Sequence, residues 1–196
     1  KNFLNIGGHE EIKREIMLHV IIPMKNSEIF YNNDSLKPPS GILLSGPPGT
    51  GKTLLAHSIA SECKVPFLAI KASMVEQKYF GESEKIVKAI FSFAEKIQPC
   101  ILFIDEIDSM MRNRSDFEQA ATYSIKTQFL QEMDRIENEN MKIIVIAATN
   151  NPQSLDKALF RRLPRSYTVE KPGLQARVDI LNRLAANEIP SIKKSD

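Results

Sequence analysis

One octapeptide restricts what this chain can fold into more than any other stretch: Gly46-Pro47-Pro48-Gly49-Thr50-Gly51-Lys52-Thr53. It has the spacing G-x-x-x-x-G-K-[ST], and its flanks are the ones that spacing requires. The apolar run Gly41-Ile42-Leu43-Leu44-Ser45 before it reads as a buried strand, and Leu54 to Ala60 after it as a helix. Glycines let the backbone wrap closely around phosphate oxygens with its N–H groups turned inward. The new helix brings its positive dipole end to the same place. Lys52 sets a point charge on the β- and γ-phosphates, and the Thr53 hydroxyl can ligate Mg²⁺. Pro47, Pro48, Gly49, Thr50, Gly51, Lys52, Thr53 and Leu54 are therefore the expected contacts to a nucleoside triphosphate.

The rest of the chain alternates in the same way. Pro66 to Ile70, Ile101 to Glu106 and Ile143 to Ala148 read as further strands, with a short fifth at Tyr167-Thr168-Val169. Helices are expected from Glu10 to Ile22, stopped by Pro23, and at Ser73, where Glu76 completes a capping box. Another carries the stripe Ile86, Ala89, Ile90, Phe93 and Ile97, and a fourth buries Ile125, Phe129, Met133 and Ile136. Leu155 to Arg162 reads as a helical turn and Gly173 to Ala186 as a last helix. Uniformly apolar strands separated by helices mean an α/β fold, a parallel sheet covered on both faces.

With 26 basic and 24 acidic residues, the chain lacks the charge excess of a nucleic-acid binder. Cys63 and Cys100 have no metal-ligand spacing and read as small buried residues of a protein in a reducing compartment. No apolar run is long enough to span a bilayer and no signal peptide precedes the fold, so the chain as given is expected to be soluble.

Asp105-Glu106 end an apolar strand, which is what a nucleotide hydrolase needs opposite its phosphate loop. Asp105 would hold the Mg²⁺ shell and Glu106 would polarise the attacking water. Asp108 reads as a polar residue of the following loop. Asn150, at the carboxyl end of the fourth strand, either orients that water or simply forms the turn ahead of Asn151-Pro152. Asn150-Asn151-Pro152-Gln153 is not the guanine reader N-K-x-D, which favours adenine. Arg161 and Arg162 read either as charge-neutralising arginines or as surface residues near a helix end. Tyr79-Phe80, consecutive and flanked by Lys78 and Gly81, form an exposed gripping loop or a partly buried one.

Taken together, G-P-P-G-T-G-K-T at 46–53, I-L-F-I-D-E-I-D at 101–108 and A-A-T-N at 147–150 resemble the AAA ATPases. The resemblance spans about residues 3–186 and implies the P-loop NTPase fold in its AAA+ form, with a five-stranded parallel sheet between helices. It implies ATP and Mg²⁺ as cofactors and ATP hydrolysis as the activity. It makes Asn150 the sensor and Ile6-Gly7 the adenine-side arm. Arg161 and Arg162 become arginine fingers toward a neighbouring subunit, in a homo-oligomeric ring, usually a hexamer. Lys78, Tyr79 and Phe80 become the first pore loop, gripping a polypeptide drawn through the ring, and Arg112 to Gln119 falls in the second.

Within the family, Lys78-Tyr79-Phe80-Gly81-Glu82-Ser83, the wording of Ile97 to Glu106 and Arg161-Arg162-Leu163-Pro164 are most similar to one branch. That branch faces the cytosol from the mitochondrial outer membrane, or the peroxisome, and extracts tail-anchored proteins. The alternatives are the branches that sever microtubules or disassemble endosomal filaments, and a nucleotide-gated assembly module with little hydrolysis. Tyr79 stands where tryptophan is usual, Asn5 for aspartate, and Arg135 follows Asp134 where glycine is preferred. On this reading residues 1–172 form the nucleotide-binding large subdomain, with 1–8 as its arm, and 173–196 begin a truncated helical lid. Membrane contact would come from a segment not in this chain.

Overall fold

The computed structural model describes residues 3, 7–33, 36–76, 83–111 and 119–188. The expected pore loop of Lys78, Tyr79 and Phe80 lies outside these residues, as do Ile6 and the second-loop stretch 112–118.

Five strands pair in parallel in the order β2-β3-β4-β1-β5: β1 Gly41–Ser45, β2 Phe67–Lys71, β3 Cys100–Asp105, β4 Ile143–Thr149 and β5 Arg165–Thr168. Side chains alternate across a strand, so each apolar run feeds two cores at once. Ile42, Leu44, Ile101, Phe103, Ile144, Ile146 and Ala148 pack on one face. Leu43, Leu102, Ile104, Val145 and Ala147 pack on the other. A strand with no polar position, such as Ile143 to Ala148, is the sequence's record of that double burial.

The connections explain which helix covers which face. From β1 the chain crosses to the far edge at β2, then returns through β3 and β4 before stepping past β1 to β5. Because parallel crossovers are right-handed, reversing the direction of travel changes the face. Helix α4 (Lys52–Cys63), the β1–β2 crossover, therefore packs on one face through Leu55, Ile59 and Cys63. Helices α5 (Ala72–Glu76), α6 (Ser83–Lys96), α7 (Asp108–Met111), α8 (Gln119–Asn138) and α9 (Lys157–Arg162) lie on the return path and serve the other. The N-terminal helices α1 (Glu10–Ile16), α2 (Ile22–Lys25) and α3 (Ser27–Phe30) precede β1, and Ile16, Val20 and Met24 join the α4 side. Helix α10 (Leu174–Glu188) follows β5, and a Cβ on Gly7 would collide with its Ile180.

Several expectations from the sequence are corrected. Pro23 does not stop the first helix. A π-helical turn, Met17–Ile21, widens the groove just ahead of it, and the chain stays helical to Lys25. The wide turn displaces the carbonyl against which a proline ring normally clashes. Helix α5 begins at Ala72, one residue before Ser73, so the capping box does not open it. On α6 the buried line is Val87, Phe91 and Ala94, with Ile86, Ile90 and Ile97 partly buried beside it, while Phe93 is half exposed. Asp108 is not a solvated loop residue: it is buried, at the start of α7. The buried face of α8 runs through Ile125, Phe129, Met133 and Ile136 as the periodicity requires.

Candidate nucleotide site

Crevices in open α/β sheets form at the carboxyl ends of strands whose connections leave to opposite faces. Here those strands are β1, which leads to α4, and its neighbour β4, which leads to α9. The candidate residues gather at this end. After Ser45 the loop turns through Gly46, held by its N–H to the Thr149 carbonyl at 3.2 Å. Gly46, Gly49 and Gly51 all have positive φ, at 144°, 77° and 94°. At Gly46 a side chain is also excluded by contact, since a Cβ would meet the Val169 carbonyl oxygen. At Gly49 and Gly51 an added Cβ would meet nothing within 4 Å, so there the positive φ and not crowding favours glycine.

Lys52 is the first residue of α4 and only 7% exposed. Its ammonium donates to the Gly46 carbonyl at 2.7 Å, the Pro47 carbonyl at 2.9 Å and Asn150 Oδ1 at 2.8 Å. Burial pushes its pKa below the ordinary lysine value, while Asp105 and Asp108 pull it back up. Gly51 caps α4 without a side-chain acceptor, leaving the first-turn N–H groups without a partner from the cap. Thr50 Oγ1 donates to the Pro47 carbonyl at 3.0 Å and braces the turn. Across the crevice, Thr53 Oγ1 lies 3.3 Å from Asp105 Oδ2, and the Glu106 N–H donates to Asp105 Oδ1 at 3.0 Å. Glu106 itself has φ 55°, a left-handed conformation that turns the chain sharply out of β3.

An anion fits this site: glycine loop, unsatisfied helix N–H groups and a buried ammonium bonded only to neutral oxygens. A hard cation fits beside it. Thr53 and Asp105 supply two oxygen donors, and among the described residues no cluster of three or more His, Cys, Asp or Glu could hold a metal without help. That is the arrangement Mg²⁺ prefers, with most of its shell from water and phosphate.

Arg161, Arg162 and Gly7 lie outside the loop. Arg162 is held by its own chain: Nε and Nη2 donate to the two carboxylate oxygens of Asp134 at 2.8 and 2.9 Å, and Nη1 to the Ala158 carbonyl at 3.2 Å. Arg161 is exposed. Arg135 donates to Glu95 on α6 at 2.7 Å, tying α8 to α6. Gly7 packs on α10, and Pro47, Pro48 and Leu54 are exposed at the loop. Thr149, which sequence reasoning passed over, donates from Oγ1 to Asp108 Oδ1 at 2.8 Å; Asp108 was read only as a polar residue of a loop. The signal of Thr149 in the sequence was only a polar residue ending an apolar strand, and that of Asp108 a third acid just past Asp105-Glu106.

Residues 42–171 match the family described as "ATPase family associated with various cellular activities (AAA)". The chain belongs to the AAA family. It is 42% identical over 185 residues to the outer mitochondrial transmembrane helix translocases of Danio rerio and Homo sapiens, covering 94% of this chain and 51% of each relative. It thus spans about half the length of these curated relatives. Spastin of Drosophila virilis is 43% identical over 182 residues, 92% of this chain and 23% of that protein. Among solved structures, the FIGL-1 AAA domain in complex with ADP superposes with a TM-score of 0.82 at 36% identity, covering 95% of this chain and 61% of that one. Membership supports ATPase activity in general, and the ADP complex of a relative supports nucleotide binding. Among the described residues, no helix is long and apolar enough to cross a membrane.

Proposed function

We propose that this chain is the motor domain of an ATP-driven ring that draws membrane-anchored proteins, tail-anchored ones above all, out of the bilayer through a central pore. The observation that carries the reading is the convergence of Lys52, Thr53, Asp105 and Asn150 at one end of the sheet. In this reading Lys52 exchanges neutral oxygens for the β- and γ-phosphates, and Asn150, released from Lys52, turns toward the γ-phosphate or the water. Thr53 and Asp105 hold Mg²⁺, which when bound offsets charge on the phosphates. Glu106, set beside Asp105 by the sharp turn out of β3, polarises the attacking water. Arg161, exposed, and Arg162, oriented by Asp134, face the nucleotide of a neighbouring copy in a hexamer. Lys78, Tyr79 and Phe80 grip the polypeptide. Residues 1–172 form the body, with Gly7 in its arm, and 173–196 begin a helical lid. The names of the translocase relatives support the mitochondrial outer membrane as the place of action, with the peroxisome as the alternative that the family resemblance implies and the membrane contact in sequence outside this chain.

A second reading keeps the motor and changes its load to a cytoskeletal or endosomal filament. Its support is that spastin is as similar to this chain as the translocases are. Full-length protein in liposomes with a fluorescent tail-anchored protein separates the two. ATP-dependent release that disappears in Glu106→Gln supports extraction; ATP turnover without release contradicts it and favours the second reading.

A further inference from the structure

Glu106 and Asn150 each sit one residue past the end of a strand. The direct β3–β4 pairing runs only to Ile104 and Ala147; beyond it each end is paired only on its outer side, Asp105 with Lys71 of β2 and Thr149 with Ser45 of β1. Two cross-links continue where the ladder stops. The Ile107 N–H donates to the Ala148 carbonyl at 3.0 Å. One residue further on, Thr149 Oγ1 donates to Asp108 Oδ1 at 2.8 Å, with both side chains buried. The same hydroxyl accepts the Asn151 N–H at 3.0 Å, so it is used as donor and acceptor at once and bridges across Asn150 from Thr149 to Asn151. On the β3 side, the Ser109 N–H donates to the Glu106 carbonyl at 2.9 Å, closing the turn in which Glu106 keeps its positive φ. A side chain in that conformation persists only where its surroundings fix it. A buried carboxylate is a costly tie unless hydrogen-bonded, and the ends joined here are those that carry Glu106 and Asn150.

We propose that the Asp108–Thr149 hydrogen bond is a clasp that fixes Glu106 relative to Asn150, so that both clasp residues are positioning residues for ATP turnover. The proposal rests on the roles given to Glu106 and Asn150 above. Both clasp residues are buried and neither belongs to the phosphate loop; breaking the clasp therefore misplaces the hydrolytic groups while leaving that loop to bind.

The test uses the full-length protein, with steady-state ATP turnover, the affinity of a fluorescent ATP analogue and thermal melting for each variant. Thr149→Val keeps the shape and removes the hydroxyl; it is expected to lower kcat by about tenfold or more with KM and analogue affinity within about threefold, the signature of lost transition-state positioning. Thr149→Ser keeps the hydroxyl that donates to Asp108 and accepts the Asn151 N–H, and is expected to hold kcat within about threefold. Unchanged kcat in a folded Thr149→Val overturns the proposal. So does a kcat loss of about tenfold in Thr149→Ser without a change in melting, which remains decisive if Thr149→Val fails to fold. Glu106→Gln, in which the clasp is intact, reports separately: full turnover there overturns the role of Glu106 itself.

Discussion

Lys52 is held in a buried position by three neutral oxygens, and its pKa lies below the ordinary lysine value chiefly because of burial. In the unfolded chain the same ammonium is free in water, so at neutral pH its charge opposes folding. That opposition is relieved as pH rises through the lowered value toward the ordinary one. Phosphate binding has the opposite preference, since it needs the ammonium. ATP affinity is therefore expected to fall as pH is raised from neutral toward the ordinary lysine pKa, sooner than an unperturbed lysine would require. A fluorescent-nucleotide titration across that range measures it, and a flat profile would count against a charged Lys52 as the main phosphate contact. Gly46 makes a second prediction. Gly46→Ala adds a methyl group at φ 144° against the Val169 carbonyl, backbone that cannot swing aside. The expected cost is on the order of 1–3 kcal/mol in a denaturant melt, with loss of nucleotide binding as the loop distorts.

At the scale of elements, helix α8 is the hub of the return face. Phe129 is fully buried and meets Phe91 of α6 edge-on at 5.5 Å. Phe129→Ala is expected to cost about 3–5 kcal/mol, read by chemical denaturation. One turn further along, Asp134 grips Arg162 of α9, and that hydrogen bond holds the Asp134 carboxyl below its usual pKa. A lowered carboxylate pKa gives stability that is present above the unfolded value and lost as pH falls through the folded one. The pair is partly exposed, so its worth is about 1 kcal/mol or less. Asp134→Asn is expected to flatten the loss of stability below pH of about 4.

How much of this was legible in the chain follows from the same physics. Strands β1, β3 and β4 could be read because burial on both faces leaves no polar position to blur them. The phosphate loop could be read because positive φ at Gly46, Gly49 and Gly51 and a charge at Lys52 demand those residue types. The phase of α6 could not: with Ile86, Val87, Ala89, Ile90, Phe91, Phe93, Ala94 and Ile97, more than one helical stripe satisfies the spacing, and packing against α8 selects among them. The path through Pro23 was hidden because a π-turn is set by backbone hydrogen bonding rather than by residue type. Asp108 and Thr149 meet only after two distant strands align, so neither announces its partner in sequence.

For the whole molecule, one reversal in strand order sends α4 to one face and α9 to the other, and the crevice between β1 and β4 collects residues 52, 53, 105, 106 and 150 from three separate segments. Binding groups come from the loop and α4; the expected hydrolytic groups come from the ends of β3 and β4. The two functions should therefore separate on mutation. The direct measurement is phosphate release from ATP by the full-length protein and its Glu106→Gln variant, alongside the affinity of each for a fluorescent ATP analogue. The account predicts that Glu106→Gln binds the analogue within about threefold of the parent and loses turnover by about a hundredfold or more. Turnover at the parent rate in that variant, with binding intact, would contradict it.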